Sequence, residues 1–80
     1  MENRLIEILK KISGYNGTID PEEDLDSYGY DSLLFMQLIV QVETEYGIEF
    51  DDEELLIENF MTLNRINTLL IKKGIEEPGK

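Results

Sequence analysis

Apolar residues recur at helical spacing in three stretches of the chain. Leu5, Ile8, Leu9 and Ile12 fall at i, i+3, i+4 and i+7, one stripe of an amphipathic helix read as about Glu2 to Ser13. Glu2 near its start and Lys10 and Lys11 near its end suit the helix dipole, and Gly14 is placed to stop it. The longest stretch is Leu33 to Tyr46, where Phe35, Leu38, Ile39, Val42 and Tyr46 form a wide core stripe. Gly47 ends it, and Ile48 and Phe50 then alternate with Glu49 and Asp51 in a short extended segment. Asp51 or Asp52 can cap a short helix whose apolar residues are Leu55, Leu56 and Phe60. Thr62 caps a last helix with Leu63, Ile66, Leu69 and Leu70 on one stripe and Ile71 near its end; Lys72, Lys73 and Gly74 close it. The pattern predicts an all-α domain over residues 1–74, with three main helices, one short helix and a long first loop. Residues 75–80, with Pro78 and Gly79, read as a flexible tail.

The connection from Gly14 to Asp31 is too long to be a passive loop in so small a domain. Ile19, Leu25 and Tyr28 are the residues that would tie it to the core, leaving Glu22, Glu23, Asp24 and Asp26 in water. Its acids invite a calcium reading. Counted from Asp24, carboxylates fall at positions 1 and 3 and Gly29 at position 6. Position 5 is Tyr28, however, and position 12 is Phe35 where a bidentate Glu is needed, so the EF-hand pattern fails and no metal ligands are assigned.

The helix over Leu33 to Tyr46 is apolar on more than one side. Leu33, Met36 and Val40 lie on a second, narrower stripe with Leu34 beside it, and acids return only at Glu43 and Glu45. A chain of 80 residues has too thin a core to bury such a helix all round. Leu33, Leu34, Met36 and Val40, with Glu43 at the far end, are therefore read as a docking surface for partner proteins, to which Met brings an adaptable side chain. The competing reading packs Met36 and Val40 against the loop.

Composition narrows the chemistry. There is no Cys and no His, which removes disulfides, thiolate metal sites and the Ser-His and Cys-His catalytic pairs. No catalytic residues are assigned, and the chain does not read as an enzyme. Eighteen acids against seven bases give a net charge of −11, and no basic residue occurs between Ile12 and Asn64. Such a surface repels nucleic acid and anionic membrane and steers toward basic protein surfaces. The early charges at Glu2, Arg4 and Glu7 do not resemble a secretory signal, and no apolar run approaches the ~20 residues of a spanning helix. Asn16-Gly17-Thr18 is then a turn rather than a glycosylation site. A cytoplasmic monomer is the expectation. Repulsion within the acidic middle should loosen the fold at low ionic strength. The melting temperature is expected to rise as salt is added, and a melting temperature constant across a salt series would contradict this.

Gly29-Tyr30-Asp31-Ser32-Leu33-Leu34 stands at the head of the long helix. Gly29 lets the backbone turn sharply, and Ser32 is a residue type favoured at the N-cap, where its oxygen would accept a free N–H of the first turn. On local grounds Ser32 is simply that cap. The stretch Gly29-Tyr30-Asp31-Ser32-Leu33 also resembles the G-x-D-S-L signature of acyl and peptidyl carrier proteins. The resemblance extends from about Leu5 to Ile71 in length, acidity and element order. Asn59-Phe60-Met61-Thr62-Leu63 is similar to the N-F-x-T-L stretch common in peptidyl carrier domains.

That resemblance implies a four-helix carrier-protein bundle. It implies that Ser32 receives a phosphopantetheine arm from coenzyme A, that Asp31 helps to position the phosphopantetheinyl transferase and its metal, and that the arm carries an acyl or aminoacyl thioester. The implied partners are that transferase, an acyl- or aminoacyl-loading enzyme and downstream synthases. A discrete carrier for polyketide, nonribosomal peptide or fatty-acid biosynthesis is the function expected. Fatty-acid carriers usually place acids early in the second helix, where this chain has Leu34 and Gln37, which favours the other two pathways. Tyr30 also departs from the small or apolar residue usual at its position, and could influence transferase recognition or shield the arm. The alternative function is a small acidic helical interaction module without a prosthetic group.

Overall fold

Three amphipathic stripes converge on one core in the computed structural model, which describes residues 4–75. They belong to α1 (Arg4–Ser13), α2 (Ser32–Tyr46) and α3 (Leu63–Lys72). Short 3-10 turns lie at Leu25–Tyr28, Asp52–Glu54 and Ile57–Phe60, and no strand occurs among the described residues. The protein is an all-α helical bundle. Leu5, Ile8 and Leu9 from α1, Phe35, Leu38 and Val42 from α2, and Leu63, Ile66, Leu69 and Leu70 from α3 are all buried together. Ile12, Ile39 and Tyr46 pack partly buried at its margin, whereas Ile71 faces water. The first two residues of the expected first helix, and residues 76–80 of the expected tail, lie outside the described residues. Ile75, assigned to that tail, packs partly buried against the core and donates its N–H to the Leu70 carbonyl at 3.0 Å.

The long first loop is threaded into the bundle. Ile19 and Leu25 are buried and Tyr28 is partly so, as the pattern predicts, while Glu22, Glu23, Asp24 and Asp26 are exposed. Its backbone is anchored to the start of α3: Leu25 N–H donates to the Met61 carbonyl at 2.7 Å, and Asn64 N–H donates to that of Pro21 at 3.1 Å. These bonds satisfy backbone groups that a buried loop would otherwise leave unpaired. The loop is thereby an ordered wall of the domain.

The short helix expected over Leu55 to Phe60 is replaced by two separate turns. Asp51 and Glu54 form a reciprocal capping box that closes the turn at Asp52–Glu54. Leu55 then leaves helical backbone and Leu56 is extended. The second turn, Ile57–Phe60, packs against both α2 and α3. Only Phe60 reaches the core, where its ring meets Phe50 edge-on at 5.2 Å. Leu55, Leu56 and Ile57 instead remain 41%, 48% and 42% exposed. A helix of so few residues gains too few hydrogen bonds to offset the cost of nucleating it, so short 3-10 turns take its place.

Lys73, just past α3, pins this segment. Its Nζ lies 3.0 Å from Glu54 Oε1 and 3.8 Å from Asp51 Oδ2. The Asp51 backbone N–H, and after it the Lys73 ammonium, hold the Glu54 carboxyl below its usual 4.5, while Glu54 raises Lys73 above its usual 10.5. A lowered acid stabilises the fold above its unfolded pKa and loses that contribution as pH falls through its folded value. The stability gap between wild type and Lys73→Met is therefore expected to be full near neutrality and to close as pH drops below 4.5. It should also close as pH rises above 10.5, through the raised pKa of Lys73. Thermal melts of both proteins over a pH series measure it, and a gap unchanged on acidification would contradict the pairing.

Candidate functional site

The head of α2 is assembled from four consecutive residues with four separate tasks. Gly29 takes a left-handed backbone, φ 94°, and its N–H returns to the Asp26 carbonyl at 3.1 Å. A side chain there would strain the turn that ends the preceding 3-10 segment. Tyr30 then points inward. Its ring is buried against Phe35 at 5.3 Å, and its hydroxyl donates to the Leu9 carbonyl of α1 at 2.9 Å. Burial pushes the phenol well above its ordinary range, so it stays a neutral donor. Tyr30 is thus a core anchor, and the sequence-based idea that it shields an arm is corrected: its side chain is not at the surface.

Asp31 takes the N-cap. Its backbone is extended (φ −124°, ψ −174°), and its Oδ1 accepts the Leu34 N–H at 2.9 Å. Its carbonyl accepts the Phe35 N–H, also at 2.9 Å. This corrects the expectation that Ser32 is the cap. The cap belongs to whichever residue still has extended backbone, and Ser32 is already the first helical residue. The serine hydroxyl is exposed and has no hydrogen-bond partner among the described residues. The N–H groups of Ser32 and Leu33 are likewise without partners there, as is usual at the first positions of a helix. One free hydroxyl, two free N–H donors and the positive end of a fifteen-residue helix meet at one point. A phosphodiester on Ser32 fits that environment, because backbone donors and the helix dipole both favour an anion.

The expected docking residues divide into two groups. Leu33, Met36 and Val40 are 62%, 65% and 61% exposed, so they do not pack against the loop. Leu34 is a correction: it is partly buried and packs on the core. Glu43 is another. Its Oε2 accepts the Phe50 N–H at 2.9 Å, which fixes the turn out of α2 and leaves the side chain half-buried. A helical wheel puts Glu43 on the partner face, but its hydrogen-bond partner lies in a segment that the wheel does not contain. The surface that remains is a shallow groove lined by Leu33, Met36, Gln37, Val40 and Gln41 of α2 and by Ile12 of α1. From Ser32 through Val42 there is no ionisable residue. Leu55, Leu56 and Ile57 were missed as surface residues, because three apolar residues in a row carry no sign of which way a non-helical backbone will point them.

Comparison with known proteins agrees with this geometry. Residues 3–70 match the family described as "Phosphopantetheine attachment site". The chain is also similar to a protein of Mycoplasma genitalium called acyl carrier protein homolog. The two are 33% identical over 75 residues, which covers 88% of this chain and 89% of that one.

Proposed function

This chain belongs to the phosphopantetheine-attachment family of carrier domains, non-catalytic proteins with a covalently attached phosphopantetheine, and from that premise we propose that Ser32 is the attachment residue. The observation that carries the assignment is the division of labour at the head of α2. Asp31 caps the helix, so the Ser32 hydroxyl is exposed and free. In the reaction a transferase removes the Ser32 Oγ proton. Oγ attacks the pyrophosphate phosphorus nearest the pantetheine of coenzyme A, and the adenosine bisphosphate leaves with the bond's electrons. The chain's own contribution is to hold Oγ outward and to face the new phosphodiester with the Ser32 and Leu33 N–H groups. When bound, the arm supplies the thiol that this Cys-free sequence lacks.

The cargo class follows from the face beside Ser32. Leu33, Met36 and Val40 with no charge from Ser32 to Val42 make an apolar, neutral partner surface. We assign the protein to polyketide or nonribosomal peptide assembly rather than to fatty-acid synthesis, whose carriers resemble it but place acids where Leu34 and Gln37 stand. The resemblance of Asn59 to Leu63 to peptidyl carrier domains supports the same choice. The partners are a transferase, a loading enzyme and downstream synthases, met in the cytoplasm by a monomer. Among the described residues no helix is long and apolar enough to cross a membrane. Intact mass after incubation with coenzyme A, Mg²⁺ and a broad-specificity transferase tests the attachment residue. One phosphopantetheine is expected on wild type and none on Ser32→Ala. Loading of Ser32→Ala would refute the assignment.

A further inference from the structure

Asn16-Gly17-Thr18 lies early in the long loop, between the end of α1 at Ser13 and the buried Ile19. Its backbone is not helical, and Asn16 is exposed. Neither the Asn16 carboxamide nor the Gly17 N–H has a hydrogen-bond partner among the described residues. The other described asparagines are held. Asn59 donates its N–H to the Leu56 carbonyl at 2.9 Å and its Nδ2 to the Glu54 carbonyl at 3.0 Å. Asn64 gives its Nδ2 to Glu22 Oε1, and the amide that follows it, of Arg65, donates to Thr62 Oγ1 at 3.1 Å. Asn67 sits in the middle of α3.

The fold also keeps glycine after Asn16. A Cβ on Gly17 would stand 2.6 Å from Tyr15 Cζ, because the Tyr15 side chain folds back over the glycine. The same ring packs on Tyr28 with centroids 4.8 Å apart, and the Tyr28 hydroxyl accepts the Asp20 N–H at 2.8 Å. A larger residue at 17 must displace Tyr15 from this stack.

We propose that Asn16-Gly17 is a site of spontaneous covalent modification, at which the asparagine is converted to isoaspartate and aspartate. The Gly17 amide nitrogen gives its proton to hydroxide and attacks Asn16 Cγ. A five-membered imide closes as the Cγ–Nδ2 bond breaks, and Nδ2 takes a proton from water and leaves as ammonia. Water then opens the imide at either carbonyl. Attack at Cγ gives aspartate, and attack at the backbone carbonyl gives isoaspartate. In sum one water is consumed and one ammonia released, with no oxidant or enzyme. Glycine favours the closure because no side chain shields its nitrogen and its backbone bends freely. Both products add one negative charge to the net −11. Isoaspartate also routes the main chain through the side-chain carbons, and so lengthens the segment that Tyr15 and Tyr28 hold. The conversion does not depend on what Ser32 carries.

The test incubates wild type and Asn16→Gln at 37 °C, at pH 6 and at pH 9. Isoaspartate is then labelled with an isoaspartyl carboxyl methyltransferase and labelled S-adenosylmethionine, and the label is located by peptide mapping. Glutamine alters only an exposed side chain, and its imide would need a slower, six-membered closure. Wild type is expected to take label on the peptide that contains Asn16, at a rate that rises with hydroxide, and to gain one negative charge on isoelectric focusing. Asn16→Gln should show neither change. Label confined to peptides without Asn16, equal labelling of the two proteins, or a rate no higher at pH 9 would overturn the proposal. So would a wild type that stays unlabelled while a free peptide spanning residues 14–20 converts, since the fold would then protect the site.

Discussion

Ser32→Ala is expected to fold and melt like wild type while losing its arm completely. The two effects separate because adjacent residues share the work at the head of α2. The cap is made by Asp31 Oδ1 on the Leu34 N–H, and nothing among the described residues depends on the Ser32 hydroxyl. Ala is also the better helix former at an exposed helical position, by a few tenths of a kcal/mol. Asp31→Ala should show the converse. Loss of an N-cap costs about 1 kcal/mol, which for a domain of this size lowers the melting temperature by roughly 4–8 °C. Arm uptake by that variant should fall in rate rather than vanish, since Oγ remains. Melts and intact mass on the two single variants measure both axes. A Ser32→Ala protein destabilised as much as Asp31→Ala would mean that the serine is a structural residue after all.

Phe60→Ala is expected to cost far more stability than any surface change. Phe60 is fully buried, meets Phe50 edge-on, and is the only apolar residue of its turn to reach the core. Removing a buried Phe costs about 3–5 kcal/mol through lost transfer energy and the cavity left behind. At 0.05–0.15 kcal/mol per residue, the whole domain is held by only about 4–12 kcal/mol. The variant should therefore be largely unfolded at 37 °C, or should retain helical signal without cooperative melting. Circular dichroism in the far and near ultraviolet distinguishes these. A variant with a wild-type melting transition would show that the turn at Ile57–Phe60 is not the joint between α2 and α3. Leu56→Ala, four residues earlier and half-exposed, should change stability little by comparison.

The helices were legible in the sequence wherever a single period governed a single face. Leu5, Ile8 and Leu9, and Leu63, Ile66, Leu69 and Leu70, are buried as their spacing demands. Thr62 caps α3 through its side chain, accepting the Arg65 N–H at 3.1 Å, as its place before that stripe predicts. The errors have a common form. Asp31 and Ser32 are both good caps, and the choice between them rests on one backbone dihedral that composition does not encode. Tyr30 and Glu43 were misplaced because their partners, the Leu9 carbonyl and the Phe50 N–H, are tertiary. Leu55 and Leu56 were read with Phe60 as the apolar residues of one short helix, and without that helix they share no face with Phe60 and stay exposed. The motif itself was visible throughout. What it lacked was the geometry that sets its hydroxyl free.

The charge-free groove on an otherwise acidic chain bears on how crowded this protein can be. An exposed apolar strip on a neutral molecule would join copies to one another as concentration rises. Here every copy carries a net charge of −11, so two strips approach only against the repulsion of their surroundings. The molecule behaves as a like-charged colloid with a sticky seam, dispersed among its own kind and adhesive toward anything that brings the opposite charge. A carrier can then be abundant without self-association, and the ionic strength of its surroundings governs how often two seams meet.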